Sequence, residues 1–182
     1  MAELTVNVRS GISLSPLCPG DKSAMVEFLG PKDVYLTTLN IPHPYTEANA
    51  EAWIARRMEH TQLVGKEVSF AIRDLNGKMI GAIGADSHEP GAAHRAEIGY
   101  WLARPYWSRG IMTDVVGAYI QYAFTELQLQ KLVAHVFEFN SASGRVLEKN
   151  GFKLEGKLRK HYQKDGRLVD ARVYGLLKED RY

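Results

Sequence analysis

A change of hydrophobic period within residues 97–113 constrains this chain more than any other feature. Glu97-Ile98-Gly99-Tyr100-Trp101-Leu102 carries the β-branched and aromatic residues that suit a buried strand, and Pro105 closes it because proline cannot donate to a ladder. Beyond Arg104-Pro105-Tyr106-Trp107-Ser108-Arg109-Gly110, apolar residues recur at Ile111, Val115, Val116, Tyr119, Tyr122 and Ala123, which is the spacing of one helical face. A helix is therefore expected to start near Gly110. Its first amides have no intrahelical acceptor and carry the positive end of the helix dipole, so Ser108, Arg109, Gly110 and Ile111 form a candidate pyrophosphate-binding turn. Gly110 lets a ligand touch backbone, and Arg109 adds a full charge at the same spot.

Three spaced motifs then point to one family. Tyr106-Trp107-Ser108-Arg109-Gly110-Ile111-Met112-Thr113 is followed by Asn140-Ser141-Ala142-Ser143 with Leu147-Glu148-Lys149-Asn150-Gly151-Phe152, and His43-Pro44-Tyr45-Thr46 precedes both. In this order they resemble the GNAT superfamily of acyltransferases, and within it the ribosomal-protein N-terminal (alanine/serine) acetyltransferase branch. That branch has a Trp-Gly-Lys-Gly-Tyr-Met/Ala-Thr turn, an early Pro-Tyr-Thr element, and Asn-x-x-Ser followed by Glu-Lys-x-Gly-Phe. The resemblance covers residues 12 to 178. The chain departs from the superfamily turn Gln/Arg-x-x-Gly-x-Gly/Ala at its two ends, where Trp107 and Met112 stand, and Ser108 replaces a common glycine.

The resemblance implies a GNAT fold in which the strands flanking the central helix, here Glu97–Leu102 and Leu132–Phe137, part like a V that takes acyl-CoA. It implies acetyl-CoA as cosubstrate, held by Trp107, Ser108, Arg109, Gly110, Ile111, Met112 and Thr113. The pantetheine would pair with backbone of Trp101 and Leu102 like an added strand. Asn140 is expected at the pantetheine amide and Ser143 at the sulfur. The same two side chains also suit helix capping, and Ser141 lies outside the matching spacing.

At 182 residues the chain fits one domain on a prior of ~100–200 residues per domain, and 45% hydrophobic content supplies a core. Net charge is only +2, which argues against DNA as a partner. A local basic tract runs from Lys153 to Arg167. It reads as a solvated surface, with a lip for acidic substrate or ribosomal RNA, and so ribosome association, as the alternative. Cys18 stands alone, which points to a reducing, cytoplasmic setting and leaves little for an acyl-enzyme nucleophile. No stretch approaches the ~20 apolar residues of a membrane span, and the N-terminus does not read as a secretory leader. A monomer or a homodimer is equally compatible with the sequence.

Along the chain, the expected order is a strand at Ile12–Pro16, a short helix from Asp21 closed by Gly30-Pro31, and a helix capped by Thr46. The face of that second helix is Ala50, Trp53, Ile54 and Met58. A hairpin follows around Asn76-Gly77, then the strand and helix already described. Leu132–Phe137 reads as a strand, Asn140 to Gly151 as a helix, and a last hairpin turns at Asp165-Gly166. The order β-α-α-β-β-β-α-β-α-β-β predicts an α+β fold with a mixed, mostly antiparallel sheet.

For chemistry, Glu97 lies about 16 Å from Leu102 at ~3.3 Å per residue, comparable with an extended pantetheine arm. It is a candidate general base that takes the proton from an ammonium, while a wet-face carboxylate paired with Arg95 or Lys131 is the plainer reading. Backbone amides near Leu102 or Val136 to Phe137 are candidate oxyanion donors. His94 and His88 are substitutes for Glu97, and Tyr162 is a candidate substrate wall or thiol donor. The histidines show no ligand spacing, so no metal is expected. The expected activity is acetyl transfer to a primary amine by direct attack in a ternary complex, with a protein N-terminal amine as one acceptor. A small-molecule amine acetyltransferase and a non-catalytic acyl-CoA-binding module are the alternatives.

Overall fold

The computed structural model describes residues 4–86 and 94–181. Eight strands follow one another across the sheet in the order β1-β2-β3-β4-β5-β6-β8-β7. The chain divides into two compact units, Met1–Gly84 with Tyr100–Ala118, and Ala85–Gly99 with Tyr119–Tyr182. Strand β5 (Arg95–Leu102), helix α4 (Ile111–Thr125) and the last two residues of the strand ending at Asp86 carry the chain across this division.

In the first unit, β1 (Val6–Arg9), β2 (Ile12–Pro16), β3 (Ser69–Arg73) and β4 (Met79–Asp86) form an antiparallel meander. The end of β5 joins it through the Ala103 amide, which donates to Ile80 at 2.8 Å. Gly81 is required there, because a Cβ would collide with the Trp101 carbonyl. Three helices cover the meander: α1 (Lys22–Leu29), α2 (Lys32–Thr37) and α3 (Glu47–Val64). Leu17, Met25, Leu29, Val34, Ala50, Ile54, Met79 and Trp101 make the core between them. The Thr46 hydroxyl caps α3 by accepting from Asn49 N, and Gly65, with φ 74°, ends it in the left-handed region. Arg73 staples the unit by donating to both Asp21 oxygens, at 2.7 and 3.1 Å, beside Ser15.

In the second unit, β5 and β6 (Lys131–Phe137) are parallel, in the register Arg95↔Lys131, Ala96↔Leu132 and Glu97↔Val133. Strand β6 then stays antiparallel to β8 (Arg167–Leu177) through Phe137↔Ala171, and β8 pairs with β7 (Lys153–Lys164). Helix α5 (Ser141–Lys149) lies so close to β8 that a Cβ on Gly144 would meet the Tyr174 hydroxyl at 2.8 Å. Asp165 and Gly166, with φ 50° and 76°, make the tight β7–β8 turn.

The mixed, mostly antiparallel α+β sheet is as the sequence predicts. Two elements are additional. Strand β1 escaped notice because Val6–Arg9 is short and polar on alternate residues, and α2 because six residues between prolines give no helical period. Met58, expected on the inner face of α3, is exposed.

Candidate active site

The turn before α4 lies in the first unit. Ala103 starts a short 3-10 helix, Arg104–Tyr106, and Ser108 and Gly110 then take positive φ, 60° and 75°. This double reversal turns successive backbone N–H groups outward where α4 begins, and the intrahelical ladder opens with the Asp114 amide donating to Gly110 at 3.2 Å. Ser108, Arg109 and Gly110 are exposed, whereas the Ile111 and Met112 side chains are buried. Ile111 and Met112 therefore offer a ligand backbone only. The Arg109 guanidinium stacks 5.7 Å from the Tyr106 ring, which in turn meets Phe28 edge-on.

Arg9 completes this turn and was not anticipated. Its Nη1 donates to the Arg109 carbonyl at 3.3 Å and to Asp114 at 2.9 Å. Arg9 thus offsets the one carboxylate in the first turn of α4. Nothing local in the sequence links residues 9 and 109. Helix-start amides, a glycine and the Arg109 guanidinium, with Asp114 offset by Arg9, fit a pyrophosphate.

The end of β5 packs closely against its surroundings. The Trp101 carbonyl faces Gly81 of β4, and the Leu102 carbonyl accepts from the Trp107 indole at 2.6 Å. The Leu102 carbonyl is thus already engaged within the protein. Trp107 packs under Arg104, 4.8 Å from its guanidinium.

The second unit gathers the titratable groups. Glu97 ends the β5–β6 ladder, and its Oε1 lies 3.0 Å from His135 Nδ1, with side chains 41% and 21% exposed respectively. That nitrogen is shielded from solvent and the contact is not an in-line hydrogen bond. The expected pairing of Glu97 with Lys131 is not found, because Lys131 binds Glu155 at 2.8 Å. His161 stacks on His135 at 5.8 Å and 15°, and Tyr162 meets both His135 and Phe137 edge-on. Burial, reinforced by the Glu97 charge, pushes the Tyr162 phenol above its usual range, so it keeps its proton at neutral pH.

A bulge creates this cluster. Strand β7 advances from Leu158 to Tyr162 while β8 moves only from Ala171 to Val169, with Lys160 at φ 50° and its amide donating to Asp170 at 2.8 Å. The extra residues re-aim His161 and Tyr162. His135 was not singled out by sequence, although a lone histidine within the apolar run Leu132–Phe137 was the available signal.

At α5, Asn140 accepts from the Ser143 amide at 3.2 Å and so caps the helix. Ser143 is half-buried in the first turn, and Ser141 accepts from Arg145. The Glu138 amide donates to Asp170 of β8, so by strand alternation the Phe137 amide projects from the other edge of β6. Of the remaining candidates, His94 is an exposed turn residue whose carbonyl accepts from Gln130, and His88 lies outside the described residues. Cys18 is exposed beside Asp21 in the first unit. Two cations of the basic tract are paired: Lys157 binds Glu138 and Asp170, and Lys153 binds Asp180. Among the described residues no cluster could hold a metal, and no helix is long and apolar enough to cross a membrane.

Comparison with known proteins adds the following. A family profile described as an acetyltransferase (GNAT) domain matches residues 12–153. The uncharacterized N-acetyltransferase YoaA of Bacillus subtilis (strain 168) is 38% identical over 102 residues, 56% of this chain and 56% of its own length, so the match spans little more than half of that relative. The uncharacterized N-acetyltransferase p20 of Bacillus licheniformis is 32% identical over 75% of this chain and 77% of its own. The crystal structure of RimL, a ribosomal L7/L12 alpha-N-protein acetyltransferase in complex with coenzyme A, superimposes with a TM-score of 0.85 at 20% identity, covering 96% of this chain and 98% of that one.

Proposed function

This chain belongs to the GNAT acetyltransferase family, and we propose that it transfers the acetyl group of acetyl-CoA to a primary amine by direct attack in a ternary complex. The observation that carries the reading is the exposed turn at Ser108–Gly110, where positive φ, helix-start amides and Arg109 make an anion cradle. Trp107, Ser108, Arg109, Gly110, Ile111, Met112 and Thr113 hold the pyrophosphate end. Residues 1–182 act as a single acetyltransferase domain, with the motif resemblance spanning 12 to 178.

The chemistry is assigned to the second unit. Glu97 takes a proton from the ammonium, because a protonated amine has no lone pair to attack with. The Phe137 amide donates to the oxyanion that forms at the thioester carbonyl. Asn140 keeps Oδ1 on the helix cap and turns its amide nitrogen to the pantetheine. Ser143 supplies the hydrogen bond that eases departure of the thiolate.

The acceptor best supported is a protein N-terminal α-amine. This rests on the motif order shared with the ribosomal-protein branch, and the structural likeness to RimL is consistent with it. The test is incubation with acetyl-CoA and a panel of peptides with free Ala, Ser and Met N-termini alongside small amines, following thiol release. Acetylated peptides are expected; turnover of small amines alone would refute the protein acceptor, and binding of CoA without any turnover would refute catalysis.

A further inference from the structure

Acetyl transfer to an amine sets a proton count that one carboxylate does not meet. The ammonium R–NH3⁺ and the thioester become R–NH–COCH3, a free thiol and one proton. The N–C bond forms, the C–S bond breaks, and its electron pair leaves on sulfur. Nitrogen therefore sheds two protons in each turnover, the first before attack and the second from the tetrahedral adduct. One ends on sulfur and the other in solvent. Glu97 holds only one proton at a time, so it must be emptied before it can act again.

We propose that His135 is the positioning and relay partner of Glu97: it fixes the carboxylate from the β6 side and receives the first proton, returning Glu97 to the anion before the second N–H is lost. This deepens the functional reading above and rests on it. Three observations carry it. His135 Nδ1 is shielded from solvent and lies 3.0 Å from Glu97 Oε1, with no other hydrogen-bonding atom competing for it among the described residues. The ring is clamped rather than loose, with His161 stacked on it at 15° and Tyr162 against its edge. The His135 side chain keeps 21% of its surface open, so the proton taken at the shielded Nδ1 is balanced by one released to water from the other ring nitrogen. The out-of-line geometry suits a relay at rest, since catalytic hydrogen bonds often align only when substrate is bound.

The neighbours on this face offer no better acceptor. From β5 comes Glu97 itself, and from β7 come His161, Tyr162 and Glu155, the last tied to Lys131 of β6. Opposite His135 on β8 stands Val173, between Ala171 and Gly175, none of them ionisable. The Tyr162 phenol keeps its own proton and cannot take a second.

The test uses the full chain with acetyl-CoA and peptides bearing free Ala or Ser N-termini. His135→Ala is expected to lower kcat by about tenfold or more, as loss of one proton-transfer partner does. Its acetyl-CoA Kd, read by calorimetry, should stay within about twofold of wild type. Added imidazole should restore part of the lost rate in a concentration-dependent way. His135→Asn, which keeps a polar group of similar size, should be equally slow. In a Glu97→Gln background, His135→Ala should cost nothing more, because residues acting as one unit are not additive. Unchanged kcat in His135→Ala, full rescue by asparagine, or losses that multiply without imidazole rescue would each overturn the relay. Full activity in Glu97→Gln alone would instead sink the base assignment, and a wild-type chain that turns over no amine would sink the function itself.

Discussion

The turn before α4 and the strand face around Glu97 are built on opposite plans. The turn works through backbone: two positive-φ residues expose helix-start amides, and side chains only add charge from Arg109 and Arg9. The strand face works through side chains, a carboxylate from β5, an imidazole from β6, and an imidazole and a phenol from a bulge in β7. A backbone site tolerates change in most of its side chains, whereas a side-chain site is lost with one. The contrast separates affinity from chemistry, with binding expected at one end of β5 and proton transfer at the other.

The largest effect should follow from Glu97→Gln, which keeps shape and removes the proton acceptor. A fall in kcat of about 10²–10⁴ is expected with acetyl-CoA affinity unchanged. Steady-state kinetics beside calorimetry would read both, and a loss of affinity equal to the loss of rate would erase the division between the two regions. Next in size, Arg109→Ala should weaken acetyl-CoA by ~1–3 kcal/mol through loss of a charge-assisted phosphate contact, while kcat at saturation holds. If Kd stays put, the backbone alone carries the cradle.

The same contrast explains what was legible in the sequence. The turn could be read because its determinants are contiguous: the proline stop at Pro105, Gly110 and the helical period from Ile111 all fall within seven residues of one another. The paired hairpins were readable from Asn76-Gly77 and Asp165-Gly166, since left-handed turn residues declare themselves locally. The partner of Glu97 could not be read. Its contact with His135 depends on a three-rung parallel register, and the placing of His161 and Tyr162 depends on a bulge pinned by Asp170. Register and bulges are set by tertiary packing and leave little local trace. Arg9 was hidden for the same reason, being joined to the turn only through the sheet.

Asn140 lies between the two plans, and its substitution sharpens the division. As the cap of α5 it accepts from the Ser143 amide, so Asn140→Ala should destabilise the chain by ~0.5–2 kcal/mol in urea unfolding. Asn140→Asp preserves the cap but lacks an amide donor. If it restores stability and still binds acetyl-CoA weakly, the side chain serves both helix and pantetheine; if it restores both, capping is its whole role.

The smallest effect concerns acid. Asp170 sits below its usual 3.8, first because its carboxylate accepts from the Lys160 amide and then because Lys157 donates to it. A carboxylate depressed in the folded state adds stability that is fully present above its unfolded value and is lost as pH falls through the folded one. Asp170→Asn should therefore lower the urea midpoint slightly at pH 6, and the difference from wild type should fade below about pH 4, near the unfolded carboxylate value. Because Asp170 pins the bulge that aims His161 and Tyr162, the same variant should lose more kcat than its small stability change explains. A variant with an unaltered rate would mean that the aromatic clamp on His135 is held by ring packing alone, without the Lys160–Asp170 contact.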